Sequence, residues 1–192
     1  MDFSDKEEVE VFLKKCIKGD RKSQKLLYES FYSKMLVVCM RYATDYNEAQ
    51  DILHEGFIKV FSKLKSFKNK GSLEGWIRRI IVNSAIDYIR NKRKLIFDHK
   101  EKSIIDNIAA DDEFTVEQEY EKKITAELII ELIQKLSPAY QTVFNLYVIE
   151  GYTHKQIAER LGISEGTSKS NLAKAKIRLR EMFEKNKYKL NE

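Results

Sequence analysis

The chain has 192 residues, enough for one large domain or two small ones. Hydrophobic residues make up 43% of it, which excludes wholesale disorder, and 7 Gly with 1 Pro in a Lys-, Glu-, Leu- and Ile-rich chain favour helices. A net charge of +5 is modest, and two cysteines, Cys16 and Cys39, exclude a disulfide framework.

Ser4 and Glu7 form a capping-box pair that predicts a first helix to about Lys18, broken by Gly19-Asp20. A second helix is predicted from about Arg21 to Ala43, with Leu26, Leu27, Phe31, Met35, Val38 and Tyr42 on one face. Asn47, paired with Gln50, is read as the cap of a third helix whose apolar set is Ile52, Leu53, Phe57, Val60, Phe61 and Leu64. A polar loop at 66–72, SFKNKGS, leads into a fourth helix to about Lys94, with Trp76, Ile77, Ile80, Ile81, Ala85, Tyr88 and Ile89 as its apolar side. Four such helices suit a compact bundle of fewer than about 100 residues.

Residues 98–121 lose this periodicity and carry nine acidic residues against two Lys. They read as an acidic linker, which if flexible spans roughly 25–30 Å on average. Helical pattern resumes near Lys122, with Leu128, Ile129, Leu132, Ile133 and Leu136 as one stripe. Ser137-Pro138 restarts a helix that ends at Glu150-Gly151, Ser as cap and Pro at the first position, where its missing N–H costs nothing. Thr153 with Gln156 is a capping box for a short helix to Leu161, Gly162 turns the chain, and Ser164 caps a last helix to about Lys185. The predicted architecture is all-α: a helical bundle over 1–97, the acidic linker over 98–121 and a second helical domain over 122–192.

The longest apolar run, MLVVCM at 35–40, is far short of the roughly 20 residues that span a bilayer. The acidic opening MDFSDKEEVE has no apolar signal-peptide core. The reading is a soluble, reducing, cytoplasmic protein with no membrane insertion, its two cysteines buried as free thiols.

Charge placement is more informative than its total. Residues 76–97 hold six Lys/Arg against one acidic residue, and residues 152–189 hold ten against four. Two basic blocks flanking an acidic one suggest two polyanion-binding surfaces on a tether, against the plainer reading of solvated helix faces.

The sharpest motif is THKQIAERLGISEGTSKSNLAKAKIRLR, a helix-turn-helix. Ile157, Ala158 and Leu161 face inward, Ala158 permits close approach, Ile163 plugs the angle, and Ser168, Leu172, Ala175 and Leu179 line the second helix. Lys169, Ser170, Asn171, Ala173 and Lys174 are left outward. The second helix of such a motif enters the major groove, where Asn pairs with adenine and Lys reaches guanine. That assigns Lys169, Ser170, Asn171 and Lys174 to base edges, and Lys176, Arg178, Arg180, Thr153 and Lys155 to phosphates. The plainer alternative is a protein-binding αα-hairpin, disfavoured by the basic outward face.

The segment GSLEGWIRRIIVNSAIDYIRNKRK, residues 71–94, mixes cations with aromatics, as single-stranded bases require. Trp76 there is more often core than a stacking platform. In DILHEGFIKVF, Asp51, His54 and Glu55 share a face opposite the apolar stripe, an acidic patch able to dock on a basic partner. A metal site at these three is discounted, because no further His or Cys converges and His99 lies in the linker. No GxxxxGK[ST], GxSxG, HExxH or CxxC occurs, so neither an enzyme, a cofactor nor a small-molecule substrate is expected.

Taken in order, DILHEGFIKVF, WIRRIIVNSAIDYIRNKRK, the acidic gap and LSPAYQTVFNLYVIEGYTHKQIAERLGISEGTSKSNLAKAKIRLR resemble the extracytoplasmic-function group of bacterial sigma factors over residues 20–95 and 125–183. The resemblance implies that Asp51, His54 and Glu55 dock on the clamp helices of core RNA polymerase. It implies that the loop at 66–72 and the following helix melt the minus-ten element and capture a flipped base, through Lys68, Lys70, Ser72, Trp76, Arg79, Asn83, Arg90 and Arg93. The helix-turn-helix then reads the minus-thirty-five element of promoter DNA, and an anti-sigma factor is a further implied partner. Three positions depart from the family pattern: Ser168 stands where Val is common, Asn171 where Arg is common, and His54 replaces a common Gln. On the residues alone, a helix-turn-helix regulator with a helical sensor domain and an adaptor-type interaction protein stay open.

Overall fold

The computed structural model describes residues 6–97 and 126–189, and every regular element among them is helical. The chain divides into two compact units, Met1–Ile89 and Arg90–Glu192. The acidic segment at 98–121, His99 and the Ser4 half of the first capping box lie outside the described residues. No helix among the described residues is long and apolar enough to cross a membrane.

The first unit opens with α1 (Lys6–Ile17), and Gly19 turns the chain at φ 85°. Asp20 then caps α2 (Arg21–Met40) by accepting from the Ser23 N–H at 2.8 Å. This helix ends three residues before the expected Ala43. The N–H groups of Tyr42 and Ala43 both fold back onto the Cys39 carbonyl, tightening and closing the last turn. Leu27, Phe31, Met35, Val38 and Tyr42 are buried as predicted, but Leu26 is 42% exposed and belongs to the flank of the stripe. Cys16 and Cys39 are free and buried. Burial pushes their thiols up to about 11 and about 12 respectively, with Asp20 adding to the rise at Cys16, so neither forms thiolate near neutrality.

The cap of α3 (Tyr46–Lys63) is Asp45, not Asn47. Its carboxylate accepts from the Glu48 N–H at 2.8 Å, and the Glu48 carboxylate accepts from the Thr44 N–H at 2.6 Å. This reciprocal arrangement starts the helix two residues earlier than Asn47 would. Gln50, the expected partner of Asn47, instead donates to the Tyr32 hydroxyl at 3.2 Å. Ile52, Leu53, Phe57, Val60 and Leu64 are buried, and Phe61 is half-buried.

A short 3-10 turn at Leu64–Ser66 leads through the loop to α4 (Leu73–Phe97). Two loop residues carry positive φ, Asn69 at 55° and Gly71 at 98°. The crossing of α3 and α4 is close: a Cβ on Gly56 would run into the Ile81 side chain. Ile77, Ile80, Ile81, Ala85 and Ile89 are buried as expected, joined by Val82 and Ile86, whereas Trp76 and Tyr88 are only half-buried.

In the second unit, α5 (Ala126–Gln134) buries Leu132 and Ile133. Leu128 is half-buried and Ile129 is 48% exposed, so the inner stripe is narrower than its apolar residues suggested. Pro138 occupies the first turn of α6 (Pro138–Phe144) after Ser137, whose side chain makes no capping bond. The helix then widens into one π-helical turn, Asn145–Ile149, closed by the Glu150 N–H donating to the Asn145 carbonyl at 2.9 Å. Gly151, at φ 72°, ends it. Next come α7 (His154–Leu161) and α8 (Glu165–Lys189), the latter longer than the expected end at Lys185. Helices α5, α6 and α7 all pack on α8, which forms the spine of this unit.

Gly162 closes α7 in the left-handed region, φ 66° and ψ 37°, with open space where a Cβ would sit. Gly162→Ala should therefore cost backbone strain without a clash, roughly 1 kcal/mol. Urea unfolding of the full chain followed by circular dichroism should show a lower midpoint at unchanged slope.

Candidate nucleic-acid interface

The turn between α7 and α8 is fixed by local bonds that the sequence encodes. Thr153 and Gln156 form a complete capping box: the Thr153 N–H donates to Gln156 Oε1 at 2.9 Å, and the Thr153 hydroxyl accepts from the Gln156 N–H at 3.3 Å. The Ile163 N–H donates to the Ala158 carbonyl at 3.1 Å, and Ser164 Oγ accepts from the Thr167 N–H at 2.9 Å to open α8. Ile157, Ala158, Ser168, Leu172 and Ala175 are buried, while Leu161, Ile163 and Leu179 are half-buried. The inward set is as predicted.

That packing leaves a graded outer face on α8. Lys169 is exposed at its N-terminal end, and Ser170, Asn171, Ala173 and Lys174 are half-buried. Arg178 and Arg180 further along are exposed, and Lys176 is half-buried. Arg178 donates to Glu181 at 2.8 Å, an exposed pair of small energetic weight. Lys155 is exposed at the start of α7. Thr153 is exposed too, but its hydroxyl is engaged by the cap, which limits what it can offer to a phosphate.

One contact was not legible from spacing. His154 Nδ1 lies 2.9 Å from Ser168 Oγ, joining the first residue of α7 to the buried side of α8. The Tyr147 ring stacks on the imidazole at 4.4 Å with an interplanar angle of 22°. Burial lowers the His154 pKa below its ordinary 6.5, and the positive charges of Lys169 and Lys176 lower it further, with Glu165 opposing. The only signal in the sequence was Ser168 itself, a hydroxyl at a position read as core.

The first unit carries two further surfaces. In the loop and early α4, Lys68, Lys70, Ser72 and Arg79 are exposed; Arg90, further along α4 and the first residue of the second unit, is exposed too. Asn83 is half-buried, and Arg93 lies on α4 beyond the residues whose side chains are described. Ser72 caps α4, its Oγ accepting from the Gly75 N–H at 3.1 Å. Trp76 pairs with Phe67 across the loop, ring centroids 5.3 Å apart, which props the loop against the helix while keeping the indole partly accessible.

On α3, Asp51, His54 and Glu55 are exposed together, and Ile58 completes the same face at 69% exposure. Behind them Tyr28 stacks near His54 at 6.3 Å and meets Phe57 edge-on at 4.7 Å. Burial raises the Tyr28 pKa, with Tyr32 adding to it, so the ring stays a neutral aromatic support. Among the described residues no group of three or more His, Cys, Asp or Glu is placed to hold a metal ion.

Comparison with known proteins follows the two units. The model for "Sigma-70 region 2" matches residues 27–95, and that for "Sigma-70, region 4" matches residues 126–179, together more than half of the chain. The chain is 27% identical over 173 residues to the ECF RNA polymerase sigma-E factor of Haemophilus influenzae, covering 86% of this chain and 88% of that protein. It is 26% identical over 184 residues to the ECF RNA polymerase sigma factor SigW of Bacillus subtilis, covering 91% and 98%. A solved structure of the sigma factor RpoE with the anti-sigma factor NepR from Bartonella quintana is similar at a TM-score of 0.48 and 19% identity, covering 83% of this chain and 96% of that one.

The lowered His154 pKa has a consequence for stability. Below about pH 6.5 the unfolded chain binds a proton at this residue that the folded chain resists, so stability falls as pH drops through that value. Urea unfolding at about pH 7.5 and 5.5 should show a larger acid loss for the wild type than for His154→Gln, every other titratable group being common to the two chains.

Proposed function

We propose how this chain, which belongs to the sigma-70 family and its extracytoplasmic-function group of RNA polymerase sigma factors and directs transcription initiation, divides that task among its residues. Asp51, His54 and Glu55 form the docking face for core RNA polymerase. Lys68, Lys70, Ser72, Trp76, Arg79, Asn83, Arg90 and Arg93 bind the opened minus-ten strand. Lys169, Ser170, Asn171 and Lys174 read the minus-thirty-five duplex, with Thr153, Lys155, Lys176, Arg178 and Arg180 on its phosphates. The domains are residues 1–97 and 122–192, joined by the acidic linker at 98–121. The protein acts in the cytoplasm, without catalysing a reaction of its own, and an anti-sigma factor is a further partner implied by the family.

The observation that carries this reading is the outward face of α8. Its packed side is anchored by Ser168, Leu172 and Ala175, so the opposite side, from Lys169 to Lys174, stands at the end of a rigid element beside exposed cations. A helix held in this way can enter a major groove, Asn171 matching adenine and the lysines matching guanine or phosphate. The departure at Asn171 from the common Arg exchanges a guanine-matching group for an adenine-matching one, and so shifts promoter preference.

Strand opening has a definite energetic requirement. Each melted base-pair step loses roughly 1.4 kcal/mol of stacking, to be offset by ring stacking and phosphate contacts. The Phe67–Trp76 pair beside exposed Lys68 and Lys70 supplies both kinds of group. Linker carboxylates near the transcript path would be repelled by RNA and displaced as it grows.

Run-off transcription with bacterial core polymerase, on the DNA upstream of the chain's own gene, should give a discrete transcript only when the protein is present. No transcript together with no polymerase association would favour a helix-turn-helix regulator of duplex DNA. The double reversal Asp51→Lys with Glu55→Lys should abolish association with core polymerase while leaving the circular dichroism unchanged. Association at wild-type affinity would remove the docking role from this face.

A further inference from the structure

His154 enters none of the contact sets above, yet the fold positions it more tightly than most of the residues that do. Ser168 is fully buried, and among the described residues the imidazole is the sole hydrogen-bond partner of its hydroxyl. A buried hydroxyl that fails to donate leaves a costly unmatched group. The Ser168 hydroxyl therefore donates to Nδ1, and the neutral ring carries its proton on Nε2. Tyr147 stacked on one face fixes the ring plane. The ring is half-exposed, between exposed Thr153 and Lys155 in the chain, and Lys169 and Lys176 are near enough to act on its charge.

We propose that His154 is a DNA-backbone contact residue, its ring aimed and its tautomer fixed by Ser168, so that Nε2–H donates to a phosphate of the duplex that α8 reads. This rests on the assignment of the helix-turn-helix to duplex DNA. Ser168 is a positioning residue in this account: it touches no DNA and acts through the imidazole. The charged groups that face the ring are Lys169, Lys176 and Glu165 of α8, with Tyr147 uncharged on the remaining side. In the free protein the two lysines and burial keep the ring neutral near pH 7. An arriving phosphate reverses that balance and favours the imidazolium: one proton is taken up on Nδ1, and the Ser168 hydroxyl turns from donor to acceptor of the new N–H, at a cost that the ion pair with the phosphate offsets. Affinity then rises as pH falls from neutrality toward the lowered pKa of the free ring, the opposite sign to the stability of the free chain.

The test uses the full chain with a fluorescent random-sequence duplex, because phosphate contacts do not depend on sequence. Titrations run at about pH 7.5 and 6 for the wild type, His154→Gln, Ser168→Ala and Arg178→Ala, and nitrogen NMR of labelled histidine reports the tautomer. The wild type should show the Nε2–H form and bind more tightly at the lower pH, by about three- to tenfold beyond any change in His154→Gln. Ser168→Ala should lose the single tautomer and part of that pH response while keeping its helical content. If His154→Gln binds like the wild type at both pH values while Arg178→Ala weakens binding, the His154 contact is wrong and the duplex surface stands. If neither substitution alters binding, the duplex surface itself is misassigned and the His154 contact falls with it. A wild-type Nδ1–H tautomer would also overturn the proposal.

Discussion

Close helix crossings made by small residues are the constraint on which the functional surfaces depend. In the first unit Gly56 lets α3 lie against Ile81 of α4. In the second, Ala158, Ser168 and Ala175 are buried at small-residue positions of α7 and α8. A larger side chain at such a point must displace packed neighbours, at a cost of about 1–3 kcal/mol, and would tilt the outward face as it did so. Because α5, α6 and α7 all bear on α8, the orientation of that helix is set from several directions. The orientation of its outward face follows from the packing on its other side. The same holds for α3, where buried Ile52, Leu53, Phe57 and Val60 fix how Asp51, His54 and Glu55 present themselves.

Short-range chemistry was legible in the sequence because its partners are three or four residues apart. The Thr153–Gln156 box, the Gly162 turn and the Ser164 cap all formed as read. Competition between nearby candidates explains the failure at Asn47: Asp45 and Glu48 offered a better reciprocal pair through Thr44, and one start excludes the other. Leu26 and Ile129 were misplaced for a different reason. Periodicity identifies an apolar stripe but not its width, and the edges of the stripe depend on how far neighbouring helices reach. The α6 extension through a π-helical turn, with Asn145 buried at its start, has no sequence signature of its own.

The site was legible as a set of faces rather than as a set of contacts. Exposure of Asp51, His54, Glu55 and Lys169 followed from helical spacing alone. The aromatic backing of the face that carries Asp51, His54 and Glu55 did not, because Tyr28 and Phe57 meet across two helices. Nor did the bond between His154 and Ser168, which are fourteen residues apart on different helices. Ser168 lies on the inward stripe of its helix, where Val is common in the family. In the structure its hydroxyl is satisfied by the imidazole, and the departure from an aliphatic residue becomes a polar link between two packed helices.

A basic surface built for a polyanion must also exist without it. Lysines and arginines clustered on one helix repel each other when DNA is absent, and each added fixed charge raises that cost. A residue that is neutral when free and becomes charged only beside a phosphate avoids the repulsion while contributing to the bound state. His154, held neutral by burial and by Lys169 and Lys176, has that property. The same two lysines that suppress its charge are the ones a phosphate would neutralise, so the switch is driven by the ligand's own field. Its position at the start of α7, tied to the inner side of α8, lets one proton report whether the helix-turn-helix is seated.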